Sequence, residues 1–300
     1  MTQRITDHYQ LDGEVPFVDV LIDEDNLLFV DMLAIRLSSG PEPYRATAIA
    51  AADSFLAEIT GCVLDGSRAA TARGRDLLAG FREPWETRFG MSEIGFFGRG
   101  GASSIGVSIW EAISTDLQAL VEVGMLRRLE HLPVFVEGLG ADICSDVTTR
   151  VIYAALAEFT REMMVAYPEL QREVVEVRAK MWDSSRGEWA YRSVTLPAPE
   201  GRALLLVPKQ WGRRNPLVTA PRFHNVTALG FVQEAESRYS PTTKQLIKTP
   251  KHELARRSDL RPVHESNIRL TLHALQGQAD LLDVFDAYVS AWLRDQERVA

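Results

Sequence analysis

The sequence predicts an α+β fold, predominantly helical with a small central β-sheet. Three observations predict it. Apolar residues recur at three- and four-residue steps through most of the chain, the pattern of helices with one buried face. Between residues 173 and 211, three β-branched or apolar runs are separated by turn residues instead. Hydrophobic residues make up 46% of the 300 and charged residues 25%, enough apolar material for a core without disulfides or metal. No repeat or low-complexity linker divides the chain, so residues 1–300 read as one globular domain. A subdivision into a mostly helical part, 1–166, and a β-hairpin with C-terminal helices, 167–300, is the alternative.

The elements follow in order. VPFVDVLIDEDNLLFVDML, residues 15–33, has two apolar runs around a polar DEDN and predicts a hairpin. Asp23, Glu24 and Asp25 suggest a calcium loop, but the sixth position from Asp23 is Leu28 where the loop needs glycine. After SGPEPY, the alanine-rich run from Tyr44 and residues 66–81 predict a helical hairpin. Residues 81–109 are aromatic-rich and then glycine-rich, with Gly98, Gly100, Gly101 and Gly106 around Ser103 and Ser104. Such a loop before a helix can hold an anion on free N–H groups, or simply turn the chain; it is neither GxxxxGK[ST] nor GxGxxG. Ile105, Ile109, Ile113, Leu117, Leu120, Val123 and Leu126 predict one amphipathic helix over 104–129. DVTTRVIYAALAEFTREMM, from Asp146, predicts another. EVVEVRAKMW, WAYRSVTLP and GRALLLVPKQW are strand candidates. The continuous ALLLV is the expected buried central strand. Beyond Pro216 the pattern returns to helix up to the C-terminus.

Charge and cysteines bound the function. The net charge is −8, which argues against indiscriminate nucleic-acid binding. The distribution is uneven: residues 1–31 hold eight acids against one base, and residues 209–269 hold twelve Lys or Arg against five Asp or Glu. The second region predicts a basic surface for nucleic acid, or one that the acidic end neutralises within a monomer or across a homodimer. Cys62 and Cys144 have no disulfide or zinc spacing. With no apolar leader and no run approaching the roughly 18 apolar residues of a membrane span, a soluble cytoplasmic protein is expected.

Candidate chemistry gathers in GLGADICSDVTTRVI, residues 138–152. Ser145 and Asp146 read as an N-cap and a first-turn acid of the helix that follows. Alternatively Glu137, Asp142 and Asp146 converge around the bend at Gly138 and Gly140 and hold Mg²⁺ or Mn²⁺. Lys209, leaving a buried strand, is the matching cation for a phosphate. Nucleases of the PD-(D/E)XK kind place an acidic pair and a lysine this way, but here Val207 stands where an acid would precede the lysine by two. No histidine falls in HExxH and no serine in GxSxG; His224 reads as a polar loop residue.

GLGADICSDVTTRVI, followed some fifty residues later by GRALLLVPK, resembles a group of bacterial proteins of phage-defence and mobile-element loci. The resemblance runs loosely over residues 15–290 and implies a defence-related role, carried here by Asp142, Asp146 and Lys209. Two functions are therefore expected in turn. One is a metal-dependent nuclease or phosphodiesterase, with catalytic Asp142, Asp146 and Lys209, metal ligands Glu137, Asp142 and Asp146, and nucleic acid guided by residues 209–269. The other is a non-enzymatic interaction or sensor subunit with protein partners in a defence complex. The two differ in whether Asp142, Asp146 and Lys209 share one cleft.

Overall fold

The computed structural model describes residues 3–79, 81, 84–90 and 101–299. The fold is α+β and predominantly helical, as the sequence predicts, and its strands form three separate antiparallel pairs.

The N-terminal segment opens with α1 (Ile5–Tyr9) and then runs irregularly to β1 (Phe29–Val30). The predicted hairpin over 15–33 does not form, because its two apolar runs find different partners. Phe17 bridges to Pro208, and Val18 N–H donates to the Val207 carbonyl at 2.8 Å. β1 pairs instead with β4 (Gly212–Arg213). The DEDN turn is organised by Asn26, whose side chain accepts from Leu21 N–H at 3.0 Å and donates to the Leu21, Glu24 and Arg88 carbonyls.

Helix α2 (Met32–Leu37) is capped by Asp31, which accepts from Ala34 N–H at 3.0 Å. The predicted helical hairpin is present as α3 (Tyr44–Asp65) and α4 (Arg68–Leu78), joined at Gly66 and capped by Ser67. α3 is long and apolar enough to pass for a membrane span, which corrects the reading that no run approaches that length. Its apolar face, with Ala48, Ala52, Phe55 and Ile59, lies in the core.

The helix predicted over 104–129 is two helices, α5 (Gly101–Ser114) and α6 (Gln118–Glu122). Ser114 and Thr115 hydroxyls bond back to the Trp110 and Glu111 carbonyls, and Leu117 N–H reaches Ala112, so the helical ladder ends there. After α7 (Leu132–Phe135), the helix predicted from Asp146 begins five residues earlier, as α8 (Ala141–Val151), and kinks at Ile152 into α9 (Tyr153–Ala166).

β2 (Val174–Asp183) and β3 (Glu188–Pro197) form a ten-residue hairpin, with Lys180 opposite Tyr191 and Trp182 opposite Trp189. ALLLV is fully buried, as predicted, but it is not a strand. Its backbone N–H groups go to scattered acceptors: Leu204 to Pro197, Leu205 to Glu86, and Leu206 to the Thr160 hydroxyl at 2.9 Å. An extended segment needs its N–H groups satisfied, and among the described residues no strand is paired along it to do so.

The rest is helical around one small hairpin: α10 (Ala220–Phe223), a π-turn at His224–Ala228, α11 (Leu229–Ala235), β5 (Arg238–Tyr239), β6 (Leu246–Ile247), α12 (Lys251–Leu254), α13 (Val263–Gln276) and α14 (Leu281–Val299). One apolar cluster runs through both halves of the chain; Phe223 stacks edgewise on Phe135 at 6.1 Å and on Phe285 at 5.4 Å.

Candidate functional site

The residues that the sequence singles out sit apart in function. Helix α8 starts after Gly140, so Asp142, and not Asp146, is its first-turn acid. Ser145 is not the N-cap; it lies inside the helix, where its buried hydroxyl accepts from Val30 N–H at 2.9 Å and ties α8 to β1. Burial raises the Asp142 carboxyl above its ordinary range. Asp25 is raised too, first by burial and further by Asp142, against the lowering pull of Arg88. Lys209 follows the buried segment, but its ammonium binds Glu14 at 2.8 Å and holds that carboxyl below the usual range. Glu137 faces a groove with His264, away from that pairing. Among the described residues, no three His, Cys, Asp or Glu side chains gather closely enough to hold a metal ion. Gly98 and Gly100 of the glycine loop lie outside the described residues.

Much of the basic region 209–269 holds its own fold. Lys251 donates to the Asn225 and Val226 carbonyls of the π-turn, Arg257 binds Glu236 and Asp259, Lys248 binds Glu234, and Arg222 lies over Trp292 while donating to Leu217 O. His224 is buried rather than exposed. Its Nδ1 meets the Asn267 side-chain oxygen at 2.9 Å, and burial lowers its pKa. Cys144 has its thiol pushed up by burial beside a small apolar cavity of about 50 Å³, which makes it a poor nucleophile.

The structure assembles a different site. A pocket of about 440 Å³ opens between the β2–β3 hairpin, the end of α8 and the turn at Trp85–Thr87. It is lined by Phe81, Trp85, Trp189 and Tyr191, by Arg150, Arg178 and Lys180, and by Glu86. Alternation along β2 puts Arg178 and Lys180 on one face. Lys180 pairs with Tyr191, so Arg178 and Lys180 each lie diagonal to an aromatic ring on β3. Arg178 sits 5.2 Å from the Tyr191 ring centre and Lys180 5.0 Å from that of Trp189. Partial burial pulls the Lys180 ammonium below its usual pKa. From α8, Arg150 reaches the Glu86 carboxylate at 3.3 Å and lies 5.5 Å from the Tyr153 ring. Arg88, wholly buried and bonded to the Ile22, Trp85 and Arg202 carbonyls, lies 5.4 Å from the Trp85 ring.

Among the described residues no carboxylate pairs with Arg178 or Lys180; each is held against an aromatic face. Three cations and one carboxylate leave the pocket net positive. Rings stack on planar ligands, the cations attract an anionic group, and Glu86 accepts hydrogen bonds. The sequence carried the signal: Arg178 and Lys180 are two apart on one predicted strand, and Trp189 and Tyr191 are two apart on the next. Only the β2–β3 register brings the two pairs together.

Fold and site therefore define a helix-rich α+β protein with an aromatic, cation-lined pocket. The chain belongs to the family described as a domain of unknown function, DUF8370, whose model matches residues 8–219. That span contains every residue of the pocket and ends before α10. No curated protein and no solved structure matches the chain.

Proposed function

We propose that this protein is a ligand-recognising sensor or interaction subunit whose pocket takes a nucleotide unit: a planar base with phosphate attached. The observation that carries this reading is the pairing of Arg178 and Lys180 with the Tyr191 and Trp189 rings beside Arg150 and Glu86. A base stacks on Trp85 or Tyr191, both of which are substantially exposed. Phosphate oxygens accept from Arg178 and Lys180, and Glu86, itself held by Arg150, accepts from an amino group on the base edge. A free nucleotide and a nucleotide within single-stranded RNA or DNA share this chemistry. A role in phage defence, in a cytoplasmic complex, is the setting that the sequence resemblance suggests for such a sensor.

The test is tryptophan fluorescence of the full chain titrated with mononucleotides and, separately, with short single strands. Quenching at Trp189 is expected, with Arg178→Ala/Lys180→Ala weakening affinity about tenfold or more. Tyr191→Ala is expected to lose about 1–3 kcal/mol for one stacked base. Absence of binding to either ligand ends this reading. Cleavage of the strands with Mg²⁺ or Mn²⁺, abolished in a folded Asp142→Ala variant, would return the hydrolase role to Asp142, Asp146 and Lys209.

A further inference from the structure

Two surface features lie outside that pocket, and each lacks what the other has. The first is the arm formed by β5, β6 and their connection, residues 238–248. It is exposed throughout apart from Ser240. Its ladder is two residue pairs long, Arg238 with Ile247 and Tyr239 with Leu246, closed by a turn in which Ser240 N–H donates to the Gln245 carbonyl. A hairpin this short is marginal alone in water and needs a surface to pack on. Yet Tyr239 is 72% exposed, Leu246 45% and Ile247 46%, so its apolar side chains touch little of their own chain. Arg238 and Lys244 make the arm basic, with no acid between 238 and 248; Lys248 at its end is paired with Glu234.

The second feature is a groove of about 960 Å³ between the end of α5 and α13, closed at one end by the segment after α7. Its apolar floor includes Ile268 and Leu272. Glu111, Asp116, Glu137 and Glu265 rim it against one cation, Arg269, which is occupied with the Asp259 carbonyl. The groove is thus acidic and apolar-floored, whereas the arm is basic and apolar-tipped.

We propose that the arm of a second copy of this chain occupies the groove, and that two chains exchange arms reciprocally to form a symmetric dimer. The exposure of the arm already excludes its folding onto the groove of its own chain. Reciprocal exchange buries both features twice around one two-fold axis and leaves no groove open for further growth. Tyr239, Leu246 and Ile247 meet the floor, and Arg238 and Lys244 face the rim acids.

The test is sedimentation equilibrium of the full chain with paired charge reversals. The wild type is expected to be a dimer that weakens as salt is raised. Leu246→Ser/Ile247→Ser is expected to be monomeric, with circular dichroism unchanged. An arm reversal, Arg238→Glu/Lys244→Glu, and a groove reversal, Glu111→Lys/Glu137→Lys, are each expected to be monomeric alone, because arm and groove then repel. Mixed, they are expected to restore a heterodimer, since both of its arm–groove contacts are again complementary. A monomeric wild type, a dimer that survives all three variants, or reversed chains that fail to pair on mixing would each overturn the proposal.

Discussion

Asp142 and Ser145 sit one turn apart on α8 and act in opposite directions on stability. Ser145 supplies the acceptor for the buried Val30 N–H. Ser145→Ala leaves that N–H unsatisfied and is expected to cost about 1–3 kcal/mol, read from urea denaturation. Asp142 carries a penalty. The first turn of a helix favours an anion by about 0.3–1 kcal/mol, yet the carboxyl is raised, so burial outweighs the dipole. Its folded value lies above its unfolded one, so between the two the folded chain holds more protons and stability falls as pH rises. The contribution is fully present below the ordinary carboxylate range and lost above the raised value. Asp142→Asn removes this loss. It is expected to raise Tm at neutral pH, with the gain shrinking as the pH falls below the ordinary carboxylate range. A thermal melt series across that range checks it; a gain that persists in acid would mean that burial of Asp142 is not the cause.

Among the elements, α4 and α5 pack by bringing backbone against neighbour. A Cβ at Gly106 would stand 1.9 Å from the Leu78 carbonyl oxygen, and one at Gly74 would stand 1.9 Å from the Trp110 ring. The Leu78 carbonyl is backbone and cannot swing aside, so Gly106→Ala must push α5 off α4. It is expected to destabilise by about 1–3 kcal/mol. Gly61, exposed on α3, has nothing within 4 Å of its added Cβ. Gly61→Ala is expected to stabilise by about 0.5–1 kcal/mol through helix propensity alone. The pair of variants in one denaturation experiment separates packing from propensity, and like effects from both would mean that the close approach is not what Gly106 serves. Helix length followed a similar division. Periodicity located the apolar faces of residues 104–129 and 146–164, but hydroxyl back-bonding at Ser114 and Thr115 and a kink at Ile152 divided them. A helical wheel keeps its phase across such a break, so spacing alone does not reveal it.

At the scale of the molecule, the helix-rich α+β class, the α3–α4 hairpin, the β2–β3 ladder and the closing helix were legible because local periodicity fixes which face is apolar. The burial of ALLLV was legible for the same reason, its lack of strand pairing was not. Pairing depends on what lies alongside, and residues 202–207 meet a hydroxyl, a turn carbonyl and the very end of β3 instead of a continuous strand. Charge counts likewise located the basic stretch 209–269, but several of its cations turned inward to cap carbonyls or pair with nearby acids. The site was the least legible part. Glu137, Asp142, Asp146 and Lys209 drew attention as chemically suggestive residues, whereas Trp85, Glu86, Arg150, Arg178, Lys180, Trp189 and Tyr191 come together only through the hairpin register and the seating of α8. By itself the sequence determined which segments are helical, which faces are apolar and where charge accumulates, since these depend on neighbours a few residues apart. Only the tertiary structure decided which cation meets which ring and which carboxylate keeps its charge, because those contacts join residues far apart in the chain and their strength depends on burial that no local pattern records.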